Sequence, residues 1–303
     1  MDGIIVINKP EGVTSHHVVK GIRKLFPGVK AGHSGTLDPM ATGVLPVCTG
    51  KATRLVEYII ELPKSYRAEI TLGKTTDTED ATGKVLSENA APLLDRPEIE
   101  KMLKSFTGEI EQLPPQYSAV KYKGKPLYHW ARKGEETPRQ FRKVKIYDIT
   151  LLAYSPGSEP KITIDINCSK GTYIRTLAAD IGKEIGCGAY LSALSRMAVG
   201  PYLLSESKTP DQAAFLASSG RYEELFQPMD TAVMHLPKAV LEQDDLKSLQ
   251  CGRTIIFTAS GEINTAENEV FRIYNKNNEF RALARFIATD GGGVLKTVKY
   301  LEG

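Results

Sequence analysis

The spacing of apolar residues switches repeatedly between a period of two and a period near 3.6. Residues 3–8 (GIIVIN) form a short β-rich run that ends at the Lys9-Pro10 turn. Ser15 is then placed to cap a helix reaching about residue 26, with Val18, Val19, Ile22 and Leu25 at helical spacing. Residues 52–62 predict a second helix, stopped by Pro63. Residues 66–72 alternate strictly: Tyr66, Ala68, Ile70 and Leu72 share one face, while Arg67, Glu69 and Thr71 share the other. That is a half-buried strand. A polar loop at 75–84, a helix at 97–106, strands at 145–154 and 161–168, a helix at 172–185 and an extended stretch at 193–202 follow. Short helices are expected near 210–217 and 222–226, with a seam around 228–237. Beyond it the chain reads as strands (254–258, 269–274, 280–288, 294–300) with one short helix near 244–249. The pattern predicts an α+β fold, with a central, mainly antiparallel mixed sheet flanked by helices over 1–235 and a small β-rich domain over 236–303.

Composition narrows the class. The chain has 303 residues, 41% hydrophobic and 25% charged, which suits a globular protein with a real core. No apolar run is long enough for a membrane span, and the first residues carry no secretory pattern. Cys48, Cys168, Cys187 and Cys251 lie far apart without a CxxC pair, so neither a zinc site nor a disulfide framework is expected, and a cytoplasmic setting fits.

The net charge of +3 is unevenly distributed. Residues 117–147 hold nine Lys/Arg against Glu135 and Glu136, a local +7, whereas 236–303 balance nine basic against nine acidic groups. Tyr117, Tyr122, Tyr128, Trp130, Phe141 and Tyr147 interleave with those cations, among them Lys121, Lys123, Arg142 and Lys143. Such a run is either a solvated face or an exposed arm in which cations meet phosphates and aromatics stack on unpaired bases. Its aromatic content favours RNA.

Residues 32–46, GHSGTLDPMATGVLP, contain one carboxylate, Asp38. An Asp-Pro pair ordinarily makes a turn. Here Pro39 biases Asp38 away from helical angles, Gly32, Gly35 and Gly43 admit unusual backbone conformations, and His33, Thr36 and Thr42 add polar groups. A single carboxylate does not suit paired acid–base glycoside chemistry, but it is adequate for covalent catalysis at an electrophilic carbon. To stay ionised in a partly dry site it needs a cation. Arg175 is the candidate, because its helical neighbours Gly171, Thr172, Ala178 and Ala179 include no acid; it either snorkels to water or pairs across the fold. Tyr66 and Tyr173 are the aromatic candidates, with core packing and helix capping as their ordinary alternatives.

These pieces, in this order, resemble the bacterial TruB family of tRNA pseudouridine synthases. INKPEGVTS (7–15), the Asp38 stretch, KSYRAEITLGKTTDTEDATG (64–83), CSKGTYIRTLAADIG (168–182) and GAYLSALSRMAVGPY (188–202) are similar to the family's motifs and span nearly all of 1–235. The resemblance implies a pseudouridine-synthase catalytic domain followed by a PUA-like RNA-binding domain. It implies isomerisation of uridine 55 in the T loop of tRNA by glycosidic cleavage, base rotation and rejoining through carbon, on a flipped base. By the same resemblance Asp38 is the nucleophile, Arg175 its partner and Tyr66 the residue stacked on the base. Tyr173 and Leu194 line the pocket, His33 fills space near the displaced base, and 117–147 is an RNA-gripping insertion. No metal, cofactor or protein partner is called for, and a monomer is expected. Two other classes compete: an RNA-binding or tRNA-folding factor, a role that could also accompany modification, and a carboxylate-dependent hydrolase of a small substrate, which leaves the basic segment unexplained.

Overall fold

The computed structural model describes residues 1–257, 266–289 and 292–301. The chain begins with β1 (Gly3–Lys9), α1 (Ser15–Leu25), β2 (Ala31–His33), β3 (Thr42–Thr49), a 3-10 turn, α2 (Val56–Glu61) and β4 (Lys64–Leu72). A hairpin of β5 (Lys74–Thr76) and β6 (Val85–Glu88) leads to α3 (Arg96–Ser105) and β7 (Gly108–Gln112). A second hairpin, β8 (Lys121–Tyr122) and β9 (Lys125–Pro126), and the single turn α4 (Leu127–Ala131) precede β10 (Arg142–Ser155) and β11 (Lys161–Cys168). Next come α5 (Ile174–Ile185), β12 (Ala189–Val199), β13 (Tyr202–Leu203), α6 (Pro210–Ser218) and α7 (Tyr222–Leu225). β14 (Lys238–Val240), α8 (Gln243–Gln250), β15 (Ile255–Ile256), β16 (Val270–Tyr274), β17 (Phe280–Thr289) and β18 (Gly292–Tyr300) finish the chain.

Nine strands make the first sheet, in the order β1-β3-β12-β4-β11-β10-β7, with β2 added to β3 and β13 to β12. Every pairing is antiparallel except β12 on β3, so the sheet is mixed as the pattern predicted. β4 lies at its centre. Its alternation puts Ala68, Ile70 and Leu72 into a core shared with Ile164, Ile166, Leu177 and Ile181, while Arg67 and Glu69 form cross-strand ion pairs with Asp165 and Lys161. The first face excludes water and the second tolerates it, so the register is fixed.

Several expectations shift. Thr14, not Ser15, caps α1, its side chain accepting from the His17 N–H; the Ser15 hydroxyl is turned inward to another use. The helix expected over 52–62 is 3-10 to Leu55 and α-helical only over Val56–Glu61. The back half of the Asp38 stretch is strand β3, whose continuous apolar run (VLPVC) lies buried between β1 and its other neighbours and so does not alternate. Residues 142–147 belong to β10 and lie in the sheet, not in an arm. Thr258, the end of one expected strand, lies outside the described residues.

The second sheet runs β14-β16-β17-β18-β15. Leu283 of β17 and Leu301 just past β18 are buried in one apolar cluster with Ile4, Val6 and Val44 of the first sheet and with Leu55 and Ile59 of the helical turns after β3, so the two sheets share a core. The Tyr274 hydroxyl donates to Asp230 at 2.6 Å and Arg272 donates to the Leu236 carbonyl at 2.8 Å, closing the seam. Truncating Leu283 to Ala is therefore expected to destabilise the whole chain by about 2–5 kcal/mol in a single denaturant transition. A separate early transition confined to the second sheet would contradict the shared core.

Candidate active site

The backbone on either side of Asp38 is held by the segment joining β1 to α1. The Ser15 hydroxyl accepts from the Leu37 N–H at 2.8 Å and donates to the Leu37 carbonyl at 3.1 Å. The Gly12 N–H donates to the Pro39 carbonyl at 2.8 Å. The buried Lys9 ammonium donates to the carbonyls of Pro10, Val13 and Pro39 at 2.8, 2.8 and 3.2 Å. Burial pushes Lys9 down to about 8, opposed by the Asp38 charge. Gly35 and Gly43 turn the loop at φ +123° and +100°; at Gly43 a Cβ would lie 2.3 Å from the Arg196 carbonyl oxygen, so no side chain fits. Gly32 is ordinary strand and needs no such freedom.

Asp38 meets Arg175 from the first turn of α5, Nε to Oδ2 at 3.0 Å; the arginine side chain is 6% exposed and the aspartate's 38%. The arginine does not snorkel. Its Nη1 faces a second carboxylate, Asp80, at 3.7 Å and donates to the Thr78 carbonyl at 3.2 Å, while Nη2 donates to the Tyr117 carbonyl at 2.9 Å. Asp80, 5% exposed, is tied at its other oxygen by the Thr78 hydroxyl, the Thr82 hydroxyl and the Thr82 N–H at 2.7, 2.6 and 2.9 Å. Beside it Glu79, in the left-handed region at φ +62°, accepts from the Thr176 hydroxyl at 2.8 Å.

Two carboxylates thus share one guanidinium. Withdrawal from water raises the Asp38 carboxyl above its ordinary 3.8; Arg175 opposes the rise and Asp80 adds to it. Burial outweighs the guanidinium, and Arg175, the candidate cation, limits the rise.

Tyr66 sits on β4 between Ile166 of β11 and Arg196 of β12, on the core face but near its open end, within the electrostatic reach of Asp38. Burial raises its phenol, partly offset by the Arg196 charge. Leu194 follows on the same face of β12, buried in the main core. Tyr173 is the residue before α5; its N–H and carbonyl are held by the Gln112 amide at 3.0 and 3.2 Å. His33 ends β2; burial lowers its imidazole pKa, and its Nδ1 is buried without a hydrogen-bond partner.

The basic segment divides. Lys121 and Lys123 are exposed on the β8–β9 hairpin, and Arg142 is exposed at the start of β10. Lys143 is instead paired with Glu109 on β7 at 2.9 Å. The aromatics are largely engaged by the arm itself: Lys125 and Lys133 lie over Trp130, Arg132 over Tyr128, and Tyr122 meets Trp130 edge-on. Among the described residues, no group of His, Cys, Asp and Glu has a metal-holding arrangement, and no helix is long and apolar enough to cross a membrane. Lys9, Ser15 and Asp80 carry no mark of a site in the sequence pattern; the signal for Arg196 is a lone cation on the same strand face as the buried Leu194.

The geometry sets signs for two substitutions, read from the Asp38 carboxyl resonance across pH. Asp80→Asn removes a like charge and is expected to lower the Asp38 pKa; Arg175→Met removes the cation and is expected to raise it. Because the folded value lies above the unfolded one, Asp38 ionisation lowers stability as pH rises from 3.8 through the folded value. An unmoved Asp38 titration in both variants would contradict the shared guanidinium.

Comparison with known proteins identifies the family. The family model for the TruB family pseudouridylate synthase N-terminal domain matches residues 23–174, and that for the tRNA pseudouridylate synthase B C-terminal domain matches 175–234. A tRNA pseudouridine synthase B of a Marinomonas species is 41% identical, over 92% of this chain and 89% of that protein. The protein of the same name from Geobacillus kaustophilus is 43% identical, over 90% and 97% respectively. Among solved structures, a chain of a Cbf5-Nop10-Gar1 complex superposes with a TM-score of 0.74 at 29% identity, covering 99% of this chain and 85% of that one. A chain of an H/ACA RNP bound to a substrate RNA containing 2′-deoxyuridine gives 0.74 at 26% identity, with the same coverage of 99% and 85%. On sequence and fold, the chain belongs to the TruB family of pseudouridylate synthases.

Proposed function

We propose that the protein is a tRNA pseudouridine synthase acting on uridine 55 of the T loop. Membership of the family supports an isomerase, and relatives named tRNA pseudouridine synthase B support tRNA as the substrate. The observation that carries the reading is the Asp38–Arg175 pair: a partly exposed carboxylate held at 3.0 Å from a buried guanidinium. The target uridine flips out of its loop, at a cost of a few kcal/mol that is smallest for a base already unpaired. Tyr66 stacks on the uracil, and Leu194 and Tyr173 bound its other sides. Asp38 acts as nucleophile while the C1′–N1 bond breaks. The uracil then turns, C5 bonds to C1′, C5 loses its proton and N1 gains one. The atoms of reactant and product are the same and no electrons are exchanged, so the chemistry calls on no redox partner.

The His33 imidazole fills space near the base. Residues 117–141 supply the phosphate-neutralising surface, with Lys121, Lys123 and Arg142 ahead of Lys143, whose charge Glu109 already balances. The β-rich domain over 236–303 is assigned as a PUA-like RNA-binding unit whose balanced charge leaves the electrostatic grip to the arm. The enzyme acts as a monomer without a protein partner. A tRNA-folding role is compatible with the same surface.

The test is incubation with an unmodified tRNA transcript and mapping of pseudouridine. Asp38→Asn is expected to abolish product while tRNA affinity stays within about threefold, since the carboxylate serves the transition state rather than ground-state binding. Product at an undiminished rate would end the nucleophile assignment. Lys121→Ala with Lys123→Ala is expected to flatten the slope of log affinity against log salt by about 0.7–0.9 for each phosphate left unneutralised, and Lys143→Ala to change it less. Equal effects from all three lysines would show that the pairing with Glu109 does not matter to RNA binding.

A further inference from the structure

Arg196 is 1% exposed, which makes it the largest side chain the fold buries completely. A guanidinium so placed ordinarily has a carboxylate partner, because a buried charge without one is costly. Arg175 has two; Arg196 has none among the described residues. Its donors go elsewhere. Nε donates to the Val44 carbonyl at 2.7 Å and Nη2 donates to the Gly35 carbonyl at 3.1 Å, and the guanidinium charge reaches the phenol of Tyr66, its partner in the strand register. Gly35 precedes Asp38 and Val44 follows it, so one planar group ties both ends of the Asp38 loop.

The strand register explains how a single residue reaches so far. Arg196 lies opposite Tyr66 across β12 and β4, and beside Gly43 across β12 and β3, where the sheet is parallel. Directly opposed residues on one face have Cβ atoms about 5 Å apart, within reach of a tyrosine and an arginine. The missing side chain at Gly43 brings β3 against the Arg196 backbone, since any Cβ there would fall 2.3 Å from its carbonyl oxygen. Arg196 therefore stands where the strand leaving the Asp38 loop and the strand carrying Tyr66 both meet β12.

We propose that Arg196 is a positioning residue that fixes the Tyr66 ring relative to the Asp38 loop, so that a flipped uracil meets a gap of set width between ring and carboxylate. The inference rests on the synthase reading above. Only an arginine suits this position, because its rigid fork presents five N–H donors in one plane and can serve acceptors on two sides, whereas a lysine ammonium has no such fork. The unpaired charge is also consistent with the role. A carboxylate partner would draw the guanidinium away from the carbonyls and the phenol, and would add a negative charge near Asp38, whose carboxyl burial already raises.

The proposal is tested by a double-mutant cycle on single-turnover pseudouridine formation at saturating tRNA transcript, with tRNA affinity and thermal unfolding measured in parallel. Arg196→Met is expected to lower the single-turnover rate by about 100-fold, the scale of a misplacement of about 1 Å, with tRNA affinity within about threefold. Tyr66→Phe removes the phenol oxygen and keeps the ring. If Arg196 acts partly through that oxygen, the double variant loses less than the product of the two single losses. Arg196→Lys keeps the charge and loses the fork; it serves where Arg196→Met does not fold, and is expected to lose rate without losing affinity. Losses that simply multiply, a rate loss matched by an equal affinity loss, or a folded lysine variant with the normal rate would each overturn the proposal. An active wild type with an indifferent Arg196 would sink this inference alone, whereas a wild type that forms no pseudouridine in tRNA would sink the synthase reading and this inference with it.

Discussion

A single guanidinium, buried in the first turn of a helix and facing two carboxylates, organises the centre of this molecule. Arg175 could not stand alone at 6% exposure, because an isolated charge there would be expensive. With Asp38 at 3.0 Å, Asp80 at 3.7 Å and two carbonyls at 3.2 and 2.9 Å, each of its three nitrogens has a partner. Buried ion pairs of this kind contribute little net stability, since desolvation consumes most of the Coulomb gain. What they supply is geometry. Asp80 is pinned by the hydroxyls of Thr78 and Thr82, Arg175 is pinned against Asp80, and Asp38 is thereby met by a cation that cannot swing away.

The loop that carries Asp38 is held as well by hydrogen bonds to its backbone. Ser15 clasps both backbone groups of Leu37, and Lys9 gathers the carbonyls of Pro10, Val13 and Pro39. These groups lie on strands, on a helix start or within a residue or two of one, where packing already fixes the backbone. A site supported in this way is pre-set before substrate arrives, which favours transition-state stabilisation over ground-state binding. It also explains why Lys9 keeps a charge that burial disfavours: the carbonyls and Asp38 together offset part of the desolvation.

Much of this is legible in the chain itself. The strict alternation at 66–72 sets the register of β4 and hence the face on which Tyr66 stands, and the lack of an acidic helical neighbour leaves Arg175 either reaching water or paired across the fold, of which the fold takes the second. The illegible parts have physical causes. Strand β3 is buried in mid-sheet, so its apolar run gives no period to read. Asp80 stands in TTDTEDATG among other acids, and only the turn that points it inward distinguishes it from Asp77. Ser15 resembles a helix cap because it is one residue from being one; Thr14 takes that place and frees the Ser15 hydroxyl for Leu37. Arg142 and Lys143 read as part of a continuous basic run, yet the pairing of β10 with β7 sets Lys143 against Glu109. Local sequence carries charge; only the sheet decides which charges are already balanced.

That division between balanced and unbalanced charge follows the division between chemistry and grip. The charges of the Asp38–Arg175–Asp80 set face one another at 3.0 and 3.7 Å, and two of the three side chains are almost wholly withdrawn from water. Mobile ions screen such pairs weakly. Lys121, Lys123 and Arg142 are exposed, and any phosphate they meet interacts through solvent, where screening sets in within about 8–10 Å at physiological ionic strength. Salt therefore acts on the arm and spares the centre. The fold achieves this by placing one set of charges on the first turn of α5 and two loops beside it, and the other on an exposed hairpin and the exposed start of β10. The two regions nonetheless join at one atom, the Tyr117 carbonyl at the root of the basic segment, which accepts from Arg175 itself.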